Sequence, residues 1–266
     1  MSLRVYAIAY LVFLYLPILL LPLFAFNDST IIAFPLDSFT FRWFVELWET
    51  PALHAAVRNS LTIAVLTAIF STLLGICAAR AAAKYEFPLK RSIMGLIMVP
   101  LVLPEIIVGV SLLVVVVQLL NWSLGTWTVV AAHVLICTPF SIAILNGAFQ
   151  NMDTSLEEAA QDLGETPFST FRLVTLPLVM PGIISSLLIS FTISLDEFII
   201  AFFLTGAEPT MPVYIWGLLR FPQKLPAVMA LGTLLVLLSI ILLVIAEYSR
   251  RRGLARAGLQ DKGGFL

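Results

Sequence analysis

The sequence predicts an all-α integral membrane protein with six transmembrane helices and a cytoplasmic helix–turn–helix between the fourth and fifth. Three observations predict it. The 266 residues are 60% hydrophobic and 12% charged, where soluble domains carry about 25% charge and about 45–50% apolar residues. Mean hydropathy is +1.03. The apolar residues gather into six stretches, each near the 20 or so residues a helix needs to cross the hydrocarbon. The net charge of −1 and the lack of a basic stripe exclude a nucleic-acid-binding role.

The six spans are Ala7–Phe26, Leu61–Ala83, Ile93–Leu120, Val129–Phe149, Met180–Leu204 and Ala227–Ala246. The apolar run Val5–Phe26 follows one basic residue, Arg4. It is longer than a signal-peptide core and has no clear A-x-A site after it, so it reads as a retained first span. Arg80, Lys84, Lys90 and Arg91 stand at and just after the end of the second span, and the tail carries Arg250, Arg251, Arg252, Arg256 and Lys262. The long first loop has only Arg42 and Arg58, Asn121–Trp127 has no basic residue, and Arg220 and Lys224 follow span five. Basic residues therefore collect on the side of both termini, which places that side in the cytoplasm. The exception is Gln150–Leu178, which parity puts inside although it carries only Arg172.

Trp43, Trp48, Trp122, Trp127 and Trp216 fall in or beside the outer loops, where interfacial anchoring is the expected role for most. The stretch Phe39–Trp48 reads as amphipathic, suited to the membrane surface or an external partner. Cys77 and Cys137 lie in apolar runs and read as small buried hydrophobes. His133 and Cys137 stand one helical turn apart, and packing is the expectation for that pair. His54 falls in the first outer loop. The whole chain, 1–266, reads as one membrane domain.

The cytoplasmic loop carries the most information. Asp153, Thr154 or Ser155 is suited to cap a helix, and Thr154 with Glu157 fits a capping box. Gly164 is placed as a left-handed stop. Leu156, Ala160 and Leu163 share one face, which gives the short helix an apolar side to bury. Pro167 opens a second segment, and Leu176-Pro177 leads into span five.

Glu158-Ala159-Ala160, then Gly164, then Val174-x-Leu176-Pro177 resembles the EAA loop of permease subunits of type I ABC importers. The family has Ile where this chain has Val174. The resemblance implies the importer permease fold in the cytoplasmic (inner) membrane of a bacterium, with both termini inside. It implies that the loop is a coupling helix seated in a groove of a cytoplasmic ABC ATPase dimer. Glu158 would contact that ATPase, Ala159 and Ala160 would permit close seating, and Gly164 would aim the helix. It also implies a second homologous permease and a periplasmic or extracellular substrate-binding protein. The chain has no G-x-x-x-x-G-K-[ST], so ATP and Mg are expected on the partner ATPase, with no cofactor, metal or catalytic residue on this chain.

Three acids lie within spans, and each marks a functional-site hypothesis. Glu105 follows Pro100 and Pro104, whose missing donors kink span three and free the carbonyls of Leu96 and Pro100. Asp196 and Glu197 end a span rich in hydroxyls. Ser186, Ser190, Ser194 and Glu197 fall on one stripe, with Ser185, Thr192 and Asp196 on the next, a polar face suited to a cavity or partner subunit. No basic residue within the spans neutralises these acids, so a small cation is the expected solute. The segment Ser194-Leu195-Asp196-Glu197 before Phe203-Leu204-Thr205-Gly206 resembles the spermidine/putrescine branch of the family, as does an acid just after a Pro in span three. The likeness runs from the first span to the last. Permeases for ferric iron, opines and phosphonates share much of the pattern. Rival classes are a secondary transporter or channel with ion sites at these acids, and an intramembrane enzyme. Neither accounts for the cytoplasmic loop.

Overall fold

A computed structural model describes residues 3–256 and forms two compact units. The larger unit runs Ala52–Tyr214, and the smaller joins the chain up to Pro51 with the chain from Ile215 onward. Lys262 lies outside the described residues, as do the side chains of Arg250, Arg251, Arg252 and Arg256, all counted above for orientation.

In the smaller unit, α1 (Leu3–Ala25) packs along α12 (Leu225–Arg256), and α2 (Arg42–Trp48) packs on α12 as well. The segment between α1 and α2 is held by aromatic contacts. Phe26 stacks on Phe39 at 5.0 Å and meets Phe41 edge-on at 5.3 Å. The amphipathic reading of Phe39–Trp48 resolves into α2, with Trp43 and Leu47 as its buried side. Trp43 is thus a core residue whose Nε1–H donates to the Asn27 carbonyl at 2.8 Å, not an interfacial anchor. Trp48, Trp122, Trp127 and Trp216 are exposed, as anchoring requires. Lys224 pairs with Glu46.

The larger unit is built on α3 (Pro51–Lys84), α6 (Thr126–Gln150) and α9 (Leu176–Asp196). Small residues let their backbones approach closely. A Cβ on Gly75 of α3 would stand 2.7 Å from the Ser141 Cβ of α6, and one on Gly182 of α9 would stand 2.6 Å from the Ala148 Cβ of α6. Ile63, Val129, Ile136, Ile200 and Leu204 fill one part of the core, and Ala79, Leu145, Phe149, Val179 and Ile183 another. Leucines such as Leu73, Leu74 and Leu188 face outward, as lipid-facing helices present them.

Four helices among the described residues are long and apolar enough to cross a membrane: Leu3–Ala25, Pro51–Lys84, Thr126–Gln150 and Pro167–Asp196. The expected third span is a broken pair, Lys90–Leu101 and Glu105–Leu119, bent by 100°. Here α4 (Lys90–Ile97) ends in a tight turn at Val99–Leu101, and α5 (Glu105–Val114) starts after Pro104. The two prolines thus produce a full break where a kink was expected. The expected sixth stretch lies within α12. Two boundaries also move. The expected second span begins ten residues earlier, at Pro51, where a missing N–H costs nothing, so His54 sits on α3 and not in a loop. The expected fifth span does not run on to Leu204. It stops at Asp196, Glu197 is extended (φ −67°, ψ 118°), and α10 (Ile199–Leu204) follows before α11 (Met211–Leu218).

Candidate functional site

The connection between α6 and α9 folds into a knob. Its first helix, α7, spans Ser155–Asp162. Asp153 Oδ1 accepts the Ser155 N–H at 3.0 Å, and bonds from Ser155 hold the Asp153 carboxyl below its ordinary range. The expected capping box does not form. Thr154 is itself helical (φ −64°, ψ −24°) and makes no side-chain cap bond. Glu157 turns away from the cap toward stronger, charged donors, described below. The far end meets expectation. Gly164 has φ +91°, its N–H donates to the Gln161 carbonyl at 2.9 Å, and the Glu165 N–H donates to the Ala160 carbonyl at 3.1 Å. That pair of bonds is a Schellman stop. Thr166 then caps α8 (Pro167–Thr170), which continues through a wide turn at Phe171–Thr175 into α9. Pro177, with no N–H to give, follows that wide turn.

The face Leu156–Ala160–Leu163 was expected to be buried and is not. Leu163 is 87% exposed and Leu156 45%, while Ala160 is half-buried. Phe168 is 74% exposed beside them. Glu158, Ala159, Gly164 and Pro177 are exposed, and Leu176 is half-buried. Among the described residues the apolar side of α7 stays largely open, and the buried side chain of the helix is Glu157, on the flank of that side.

Glu157 gathers three donors from two elements. Arg80 Nη1 of α3 lies 3.2 Å from Oε1, Lys84 Nζ of α3 lies 2.7 Å from Oε2, and the Thr175 hydroxyl donates to Oε1. Arg80 also lies over the Phe171 ring at 4.3 Å. Burial raises the Glu157 carboxyl, but the bonds from Lys84 and Thr175 and the charges of Arg80 and Lys84 outweigh it and leave the group below its ordinary range. A hollow of about 400 Å³ lies beside this cluster, lined by Arg80, Lys84, Phe149, Met152, Glu157 and Glu158 among others. Sequence reasoning counted Arg80 and Lys84 only for orientation. Their i,i+4 spacing at a helix C-terminus was the available sign that they hold a carboxylate together.

The second group of expected residues separates into two sets. Ser190 and Ser194, expected on a face turned to a cavity or a partner subunit, are buried inside the larger unit. Ser190 bonds Ser141 at 3.0 Å, Ser194 bonds His133 Nδ1 at 2.8 Å, and Ser186 bonds Thr72 at 3.0 Å. This stripe knits α9 to α6 and α3 because buried hydroxyls need partners and each neighbouring helix supplies one. Cys137 lies on the same seam, its thiol toward the Ser190 carbonyl at 3.7 Å, whereas Cys77, also expected to be buried, is exposed on α3. Glu197 is buried and caps α10, accepting the Ile200 N–H at 2.7 Å. The other set is open. Ser185, Thr192 and Asp196 are exposed along α9, and Glu105 is exposed at the start of α5. The charge of Glu105 acts on Glu197, and α5 meets α10 closely, where a Cβ on Gly109 would stand 2.8 Å from Phe203. The break after Pro104 and the break after Asp196 thus bring acids from two elements into one neighbourhood. Among the described residues no group of His, Cys, Asp or Glu side chains gathers as a metal site.

Comparison with known proteins gives three findings. Residues 71–253 match the family described as the binding-protein-dependent transport system inner membrane component. The spermidine/putrescine transport system permease protein PotC of Escherichia coli (strain K12) is 33% identical over 240 residues, covering 90% of each chain. The putrescine transport system permease protein PotI of the same strain is 37% identical over 231 residues, covering 84% of this chain and 82% of PotI. Among solved structures, a bacterial ABC transporter involved in import of the acidic polysaccharide alginate superposes with a TM-score of 0.71 at 15% identity, covering 93% of this chain and 94% of that one. The MetNI methionine ABC transporter, inward facing, superposes at 0.60 and 19%, covering 81% and 99%. At these identities the structural likeness is one of fold.

Proposed function

This chain belongs to the family of binding-protein-dependent transport system inner membrane components, and on that premise we propose that it is the permease subunit of an ABC importer whose solute is a polyamine or a similar small cation. The observation that carries the reading is the knob. An eight-residue helix stopped at Gly164, with Leu156 and Leu163 exposed on its apolar side, presents a face suited to being covered by another chain. The fitting cover is a groove on a cytoplasmic ATPase dimer. Leu156, Leu163 and Phe168 would seat in it, Glu158 would meet its polar rim, and Ala159 and Ala160 would allow close approach. ATP and its Mg would be bound and hydrolysed there and not on this chain.

A second homologous permease and a binding protein on the outer side complete the assembly, with both termini of this chain in the cytoplasm. Glu105 and Asp196, open and without a basic neighbour along the spans, would line the path and offset the charge of a polyamine, while Glu197 supports them by fixing the start of α10. Ser190 and Ser194 would act one layer back, holding α9 in place so that Asp196 faces the path. The names of the two permeases of similar sequence support the choice of solute.

The test is uptake of labelled spermidine into vesicles holding the whole importer, with ATP inside and binding protein outside. Uptake should need ATP and survive collapse of the ion gradients. Asp196→Asn should lower spermidine uptake about tenfold with the complex intact, roughly the loss of one charge-assisted contact. Unchanged uptake by the intact variant would remove Asp196 from the path.

A further inference from the structure

We propose that Glu157 is a positioning residue that ties α3 to the knob, so that movement of the knob is delivered to α3 as well as to the two helices the chain already joins to it. The proposal rests on the reading of the knob as the coupling element and adds a second route for its motion. By covalent connection the knob leads back to α6 at Gln150 and forward into α9 at Leu176. The cytoplasmic end of α3 lies 73 residues earlier than Glu157 in the case of Lys84 and 77 in the case of Arg80, with no chain linkage nearby.

Short helices usually fasten to a protein through an apolar stripe. Here, among the described residues, Glu157 is the only buried side chain of α7. Its two oxygens are shared among Arg80, Lys84 and Thr175, and Arg80 in turn covers Phe171. One carboxylate therefore joins three parts: the first half of the knob, the wide turn that leads into α9, and the last turn of α3. The hollow of about 400 Å³ beside it means that close packing does not do this joining. Ion pairs suit a part that must swing, because charge attraction tolerates a change of angle that interlocked side chains do not. Lys84 in the last turn of α3 also complements the negative end of that helix, and Arg80 stands one turn before it, so the tie grips α3 itself and not a loose side chain.

The experiment uses the complete importer in vesicles, with spin labels at Cys77 on α3 and at Asp162→Cys on α7. With Glu157 present, ATP should leave the label separation unchanged, because the two helices travel together. With Glu157→Gln, ATP should change that separation, and solute imported per ATP hydrolysed should fall about fivefold or more, the lower bound of usual coupling between sites. The transposed pair Arg80→Glu with Glu157→Arg keeps an acid between two cations, since Glu at 80 would face Lys84 one turn on and Arg at 157 across the gap. It should restore much of the yield together with the ATP-independent label separation, the readout that a merely stabilising ion pair would not move. The tie is refuted if the separation behaves alike with and without Glu157, or if Glu157→Gln imports with full yield. Leu163→Glu, placed on the exposed face, separates this from the parent reading. Uncoupling by Leu163→Glu alone overturns the tie and keeps the coupling knob, and full yield in both variants overturns both. If Glu157→Gln does not assemble, the transposed pair decides, and failure of that assembled variant to couple refutes the tie.

Discussion

Replacing Gly164 with valine tests the backbone of the knob at the turn that ends α7. A Cβ at this position would meet nothing within 4 Å, yet φ is +91°. The cost is therefore mainly backbone strain, about 1–2 kcal/mol for an L-residue held in left-handed space, and a β-branched side chain sits at the upper end. The same substitution stiffens the unfolded chain and returns about 0.4–1 kcal/mol to overall stability. That return does not help the turn, because both folded alternatives, with and without the Schellman stop, share it. Overall stability should thus change little, while the population of the native turn falls by a factor of about 5–30. The assay is paired. Thermal unfolding of the detergent-solubilised importer reads stability, and vesicle uptake with ATP turnover reads solute imported per ATP. Gly164→Val should keep its melting temperature and lose yield, and Gly164→Asn, a residue that accepts positive φ, should keep both. If asparagine is as damaging as valine, or if valine couples normally, backbone strain at this turn is not what aims the helix.

Two further outcomes follow from the packing and the charges. Gly182→Ala places a methyl 2.6 Å from the Ala148 Cβ, so it should destabilise the α6–α9 seam by about 1–3 kcal/mol; adding Ala148→Gly should recover most of that in a double-mutant cycle of thermal unfolding, and independent, additive effects would contradict the close approach. Glu157 is held below its ordinary range, so its contribution to stability is complete above the unfolded value of about 4.3 and is lost as pH falls through the lower folded value. Melting temperature should therefore drop on acidification below about pH 4.3 more steeply with Glu157 than with Glu157→Gln, and parallel pH profiles would show that the carboxylate is not the group responsible.

The elements that were legible in the sequence are those set by local chemistry. Twenty-residue apolar runs declare helical spans because a helix satisfies its backbone within one segment in hydrocarbon. Pro100 and Pro104 declared a disturbance in the third span, and Gly164 declared a left-handed stop, since each rests on the geometry of a single residue. The knob followed from the capping residues Asp153–Ser155, the stop at Gly164 and the second segment opened by Pro167. The capping box at Thr154 was a reasonable local reading that failed for a distant reason: Glu157 had a better offer from two cations on α3. The serine stripe of α9 was visible as polar, but periodicity states only that residues share a face and not what lies against it. The partners Thr72, Ser141 and His133 come from two other helices. The same holds for Trp43, buried by the loop that folds over it.

Hydropathy, proline and glycine positions and the acidic loop between the fourth and fifth apolar stretches settled from the sequence alone that this chain is a helical membrane protein with a protruding knob. Tertiary structure decided which way each polar side chain is used: Ser190 and Ser194 as seams, Glu197 as a cap, Glu157 as a junction, and Asp196 and Glu105 as open acids. The division has a physical basis. Partition into lipid and backbone geometry act residue by residue along the chain, whereas a carboxylate or hydroxyl takes its role from the donors that folding brings within about 3 Å of it.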